Sequence, residues 1–474
     1  MSYLKKLTGI VFTFAILAYA FLHYTTYISP TEKGFYYLGI VGITVLVTGM
    51  TRLSFRALIV PTFLLFAAFL IQWLTGGGFV NLLIQGVSKM SNLITLLLIV
   101  PVISWILREE SYIDAIIRLG QRLFHSSKKF YVGIMLVNQI IAYFLLFGSI
   151  PMMYEFINDF FRSKTGEAWE YFKGTALLRS FALTTLWVVS IPSFAFAVDH
   201  LGASLGWTIL QGFVISMLGI GLALVFLTRK EKAYQINFTI GIKEEMQHRL
   251  NSAMPQKEAK KLVVEFSILF VSLFSTIFVI HFLLGWSILA IIPPIIVIWT
   301  AGYFIFKKRP ERFVAECKAY IAVDIKQKAQ QFSLLLAAGM LIYAINQSGV
   351  SEYMVDALFY LADVIPFMNF LAIIPFMAII LGFLGLGPLT VIVLVAGILE
   401  NVSLIYPSEL VVLAMTSGSV ISVMLSPVVL PVIILSTTNR LSIIKNGLGF
   451  NWSYAFLFYL MVQLYIQTVW YIIG

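Results

Sequence analysis

The chain has 474 residues, of which 60% are hydrophobic, 15% aromatic and only 11% charged, with a net charge of +10. With a mean hydropathy of +0.94, too few polar groups remain to coat a water-facing surface, so a soluble domain is excluded. The single cysteine, Cys317, excludes an internal disulfide framework and any multi-cysteine metal site.

In chain order, the first apolar run begins at Leu7 behind "MSYLKK" and has no small-residue cleavage site. Residues 1–33 therefore read as an extra N-terminal span and not as a removed signal peptide. Spans follow at 34–50, 57–74 and 80–107, each long enough for about 30 Å of hydrocarbon. The stretch 130–161 is apolar but broken by "LFGSIPMM" (146–153). Spans 181–201 and 205–228 come next, then a basic linker over 229–262. Spans 263–285, 286–306 and 332–349 lead to a second broken stretch, 367–400, interrupted by "FLGLGPLT" (383–390). Spans 410–438 and 451–473 close the chain. Two polar-flanked stretches, "YIDAIIRLGQRLF" (112–124) and "RFVAECKAYIAVDI" (312–325), have helical apolar spacing with charges between, the pattern of helices lying on a membrane surface.

Charge placement assigns the sides. If each broken stretch enters and leaves on one side and the N-terminus is cytoplasmic, thirty of the 32 Lys and Arg residues fall in cytoplasmic segments. The outer segments then hold Lys33 against seven acids, and Lys89 lies within or beside a span. Letting 130–161 cross once moves the basic linker outside, against the positive-inside rule. The basic balance is thus a topology signal with some attraction to anionic lipid, not a nucleic-acid footprint. The expected location is the cell membrane, with the C-terminus outside. After the first break only "SIPMMYEFINDFF" remains, thirteen residues carrying three polar groups near its end. That is too short to cross as a helix, so 130–161 reads as a re-entrant hairpin. The second hairpin has longer arms and is less clear-cut.

These assignments give an all-α polytopic membrane protein of about 11 transmembrane helices. Its two five-span halves, 34–228 and 263–474, have opposite orientation, and each carries a hairpin in the same position. Phe147-Gly148-Ser149-Ile150-Pro151 echoes Leu384-Gly385-Leu386-Gly387-Pro388, and "ALTT" (182–185) echoes "AMTS" (414–417). Proline removes a helix hydrogen bond and glycine permits sharp turns. In hydrocarbon the freed backbone groups survive only inside protein or against a wet cavity. Matching breaks in inverted halves mark a midplane site in secondary transporters; the plainer alternative is a pair of kinks that only bend helices.

This layout resembles the ion transporter superfamily, in particular its divalent anion/sodium symporter branch and the citrate, arsenite and sodium–proton carriers. "FSLLLAAGMLIYAINQSGVSEYMVDALFYL" (332–361) is similar to that family's glycine-containing span and following amphipathic helix. The resemblance implies an elevator-type carrier, often a homodimer. It also implies a moving domain made of both hairpins with spans 80–107, 181–201, 332–349 and 410–438. The usual Ser-Asn-Thr signature is missing at both hairpin tips, where only Ser149 offers a hydroxyl.

The candidate substrate- and ion-binding residues are Gly148, Ser149 and Pro151 at the first tip and Gly385, Gly387 and Pro388 at the second. They continue with Thr184, Thr185, Ser190 and Ser193 in "ALTTLWVVSIPSFAF" (182–196). The last group is Thr416, Ser417, Gly418, Ser419, Ser422 and Ser426 in "MTSGSVISVMLSPVVLP" (415–431). Hydroxyls and unwound carbonyls can hold sodium, and exposed N–H groups suit an anion; hydroxyls bonded to their own helix are the bland alternative. Glu155 is a candidate proton carrier or an interfacial acid. Lys89 reads as a snorkelling lysine or an anion contact, and His281 as packed or functional. No Walker A loop, GxSxG elbow or HExxH pair is present, so no enzyme activity and no cofactor beyond Na+ or H+ as coupling ion is expected. Two functions remain: secondary transport of a small anionic solute, or a transporter-like role in an envelope or lipid pathway. The expected partners are that solute and membrane lipids, with no nucleic acid.

Overall fold

The computed structural model describes residues 2–120, 126–161, 164–249, 255–365, 368–400 and 405–473. All regular structure among them is helical. The first helices are α1 (Ser2–Ile28), α2 (Glu32–Met50) and α3 (Phe55–Leu74), then α4 (Phe79–Ser88), α5 (Ser91–Ile99), α6 (Ser104–Glu109) and α7 (Tyr112–Gly120). A middle group comprises α8 (Ser127–Leu145), α9 (Ser149–Phe160), α10 (Glu167–Thr184), α11 (Pro192–His200), α12 (Leu205–Tyr234) and α13 (Phe238–Arg249). Next come α14 (Gln256–Leu284), α15 (Ile288–Phe306), α16 (Pro310–Ala319), α17 (Ile325–Gln327), α18 (Ala329–Gln347) and α19 (Val350–Val364). The chain ends with α20 (Phe370–Phe383), α21 (Pro388–Leu399), α22 (Ser408–Leu425), α23 (Leu430–Asn439) and α24 (Phe450–Ile473).

Eleven helical runs among the described residues are long and apolar enough to cross a membrane. Their membership differs from the sequence reading in two places. Residues 127–160 count as one run by composition, yet the Phe130 ring stacks on Phe160 with centroids 5.0 Å apart. A continuous helix would separate those residues by about 45 Å; instead the chain turns back at Leu146–Gly148 and α9 lies beside α8. Conversely, the span expected at 181–201 is not among the eleven: its first helix, α10, starts at Glu167, carries four charged residues and is buried almost throughout. Lys173 and Arg179, assigned from sequence to a cytoplasmic connection, lie inside this helix at 1% and 0% exposure.

Packing sorts the helices into two bodies. In one, α1, α2 and α3 pack around α4, α5 and α18, with α14 and α15 alongside and α7 lying on α14. Small residues set the closest approach, since a Cβ on Gly86 would sit 2.8 Å from the Met340 backbone. In the other body α10 and α22 form the centre, surrounded by α8, α9, α11, α12, α20, α21, α23 and α24. This corrects the expected grouping. Spans 80–107 and 332–349 belong with α1–α3, whereas α12 and α24 pack against α10 and α22. The bodies meet where α21 touches α18, where α11 touches α15 and α5, and where Tyr143 and Phe144 of α8 pack on Phe266, Phe270 and Phe274 of α14.

Exposed ion pairs tie the polar connections of the first body together. Glu109 meets Arg309 and Arg312, and Arg108 meets Glu316 at 2.8 Å. Such pairs contribute roughly 0–1 kcal/mol each; their effect is to fix where α6, α15 and α16 join.

Candidate functional site

Each hairpin turns where the sequence breaks its helix. At the first tip Leu146 has φ 49° and ψ −126°, a conformation L-residues rarely adopt, so the turn stores backbone strain. Pro151 falls in the first turn of α9, where no helical hydrogen bond is lost. At the second tip Gly385 has φ 94°, which glycine alone accepts freely, and Pro388 opens α21.

The unwound segments inside the two long spans are fastened to these hairpins. Between α10 and α11, Ser190 donates to the Tyr143 carbonyl of α8 at 2.6 Å. Between α22 and α23, Ser426 donates to the Gly382 carbonyl of α20 at 2.9 Å. Both carbonyls lie in the last turn of a helix, and that of Gly382 also accepts the Gly385 N–H at 3.3 Å. In both places a broken span thus satisfies a broken hairpin arm.

A cavity of about 50 Å³ lies where the interruptions meet. Leu146 and Phe147 reach it from the first tip, Pro388 and Leu389 from the second, and Thr185, Pro192 and Ser193 from the unwound span. The first body contributes Leu97 and Gln331. Pro192 and Pro388 stand in the first turns of α11 and α21, so two helix N-termini face one space. First-turn N–H groups have no helical acceptor, and the helix dipole makes that end positive. No carboxylate lines the cavity among the described residues. The volume holds a few waters or a small ion.

The other predicted residues are placed as follows. Thr184, Thr185, Thr416 and Ser417 donate to carbonyls of their own helices. Ser149, Ser419 and Ser422 are buried, and their hydroxyls have no hydrogen-bond partner among the described residues. Gly148, Pro151, Gly385 and Gly387 shape the tips without lining the cavity. Gly418 is a packing glycine: a Cβ there would meet the Pro375 backbone of α20. The hydroxyls between Thr416 and Ser426 do not line the cavity; the lining residue from α22 is Val423. Glu155 is exposed on α9 and does not reach the cavity. Lys89 pairs with Glu400 at 3.0 Å, Glu265 with Lys307 at 2.7 Å, and a His281 ring nitrogen lies 2.8 Å from the Trp286 carbonyl.

Sequence reasoning missed two buried cations. Lys173 pairs with Glu170 at 2.5 Å and donates to Asn158 of α9 at 2.9 Å, fixing the second hairpin arm to α10. Arg179 donates from Nε to Asn451 at 2.8 Å and from Nη2 to the Phe450 carbonyl at 3.0 Å and the Tyr171 hydroxyl at 3.2 Å. Its guanidinium lies 4.4 Å from the centre of the Tyr454 ring. The available signal was the spacing in "EAWEYFKGTALLRS" (167–180), where Glu170 and Lys173 are one turn apart. Leu97 and Gln331 carried no signal, since they come from the other body. No known family's sequence model matches this chain, and no characterised protein matches it in sequence.

Proposed function

We propose that this protein is a secondary carrier of a small anionic solute in the cell membrane, coupled to Na+ or H+ and related in architecture to the ion transporter superfamily. The observation that carries this reading is a cavity at which two hairpin tips and an unwound span converge, at the seam between two helical bodies. Two helix N-termini with no facing carboxylate favour an anion there. The inverted repeat is supported by the matched serine–carbonyl ties at Ser190 and Ser426. Crosswise packing adds to it, since α21 lies on α11 and α9 on α23. On this reading α8–α9 and α20–α21 are re-entrant hairpins, the second body moves against the first, and the N-terminus is cytoplasmic. On the same reading the chain performs no chemistry and binds no nucleic acid, and the resemblance implies a homodimer.

The test is uptake of labelled oxyanions into proteoliposomes under an imposed sodium or proton gradient. Gradient-dependent accumulation of at least one anion is expected. Complete inertness across carboxylates, phosphate, sulfate and arsenite overturns the carrier reading. The apolar character of Leu146, Phe147 and Leu389 around the cavity favours one rival, a role in handling lipid. Co-purification of a lipid bound between the tips, together with inert proteoliposomes, would select it.

A further inference from the structure

The cavity's own lining is uncharged, yet a cation is anchored to its wall. Lys328 stands in the single-residue joint between α17 and α18, and its Nζ donates to the Leu97 carbonyl at 3.1 Å. That carbonyl is available because Pro101, four residues on, has no N–H to offer it. Leu97 lines the cavity, and so does Gln331, one helical turn beyond Lys328.

An ammonium carries three donors; Lys328 spends one on Leu97 and forms no ion pair among the described residues. Asp324, on the π-helical turn Tyr320–Asp324, is exposed and only attracts it from a distance. Of the other titratable groups on the surrounding elements, Tyr320 donates to the Leu98 carbonyl, and Lys326 and Arg52 meet at Gly9 of α1. Burial pulls the Lys328 ammonium down to about 8, because an underpaired charge is costly away from water.

We propose that Lys328 is the specificity-determining cation of the central cavity, exchanging the Leu97 carbonyl for an oxygen of a bound oxyanion. This rests on the reading that the cavity takes an anion, and it adds the group that supplies the full charge. A lysine held by one neutral acceptor can change partners at little cost, whereas one locked in an ion pair cannot. The ligand chemistry is a carboxylate, phosphate or sulfate oxygen, whether on a free solute or a lipid headgroup.

The experiment measures thermal stabilisation of the full-length protein in neutral detergent by succinate, citrate, phosphate and sulfate. A separate arm uses phosphatidylglycerol in mixed micelles. At least one soluble oxyanion is expected to stabilise the wild type, Lys328→Gln to lose that effect, and Lys328→Arg to keep it. Wild-type affinity is expected to fall about thirtyfold from pH 7 to pH 9.5 as an ammonium titrating at about 8 deprotonates, while Lys328→Arg stays flat. Stabilisation by phosphatidylglycerol alone, with the same variant pattern, keeps Lys328 as the recognising cation and makes the ligand a headgroup. If Lys328→Gln binds as tightly as wild type, the lysine assignment fails and the anion reading stands. If nothing stabilises the wild type, both fail. Should Lys328→Gln not fold, the wild-type pH series decides, and an affinity unchanged between pH 7 and pH 9.5 overturns the proposal.

Discussion

Arg179→Ala is expected to destabilise the protein by on the order of 3–5 kcal/mol, because it strands several buried acceptors at once and opens a cavity. The guanidinium joins α10 to α24 through Asn451 and the Phe450 carbonyl and holds the Tyr171 hydroxyl. Asn451 in turn donates to the Asn446 carbonyl, and Asn446 exchanges amide bonds with Asn439 at the end of α23. One side chain therefore ties three helices of the second body. Removing it leaves a void lined by Tyr171, Tyr454 and Phe226 and unpaired polar atoms that water reaches poorly. Arg179→Lys recovers little, since an ammonium cannot fork between two acceptors while stacking on a ring. Thermal unfolding of the two variants in detergent, followed by tryptophan fluorescence, checks this. A midpoint for Arg179→Ala within a degree or two of wild type would refute the locking role.

Gly418→Val is expected to give a folded protein that no longer transports. A Cβ at 418 would lie 2.7 Å from the Pro375 Cα and collide with that residue's carbonyl oxygen. Backbone cannot rotate aside as a side chain can, so α20 must move away from α22; overpacking of this kind costs about 1–3 kcal/mol. Pro375 has no N–H, which frees the Leu371 carbonyl for Gln463 at 3.2 Å, and Tyr459 donates to Ala372 at 2.9 Å. Displacing α20 strains both bonds and shifts the tip that presents Pro388. Gly382→Ala makes a useful contrast. Its nearest obstacle is the Ser422 hydroxyl, which can turn away, leaving only the Ser422 Cβ at 2.9 Å where Gly418 meets three backbone atoms of Pro375, so the expected loss of uptake is smaller. Equal losses for the two variants would show that the α20–α22 backbone contact is not what positions the hairpin.

Most of the apolar spans and both helix breaks were legible because they depend on local composition: long apolar runs, and glycine with proline where a run stops. The serine ties were half legible, since Ser190 and Ser426 stood out beside prolines but their acceptors did not. What escaped was whatever is decided by partners distant in sequence. Arg179 looked like a loop charge because Asn451, which makes its burial tolerable, lies 272 residues away. Glu155, read either as a proton carrier or as an interfacial acid, is exposed because α9 turns its apolar face, with Ile150, Met153 and Ile157, to the interior. Span 332–349 was grouped with the hairpins, but it packs on α2 and α3 of the first body, where Gly49 fits against Ser333. Small residues record how closely helices pack, not which helix they meet.

The most direct test of a shared site is cross-linking between the two tips. Cysteines at Phe147 and Leu389, in a Cys317→Ser background, are treated with a short bifunctional thiol reagent, and the chain is then cleaved between them. Asn369→Cys with Gln467→Cys serves as the control, since those side chains touch at 2.6 Å. Efficient joining of 147 to 389, reduced by a bound oxyanion, is the expected result. Joining of the control pair but not of 147 to 389 would mean that the interruptions do not share a cavity, and the carrier reading would fall with it.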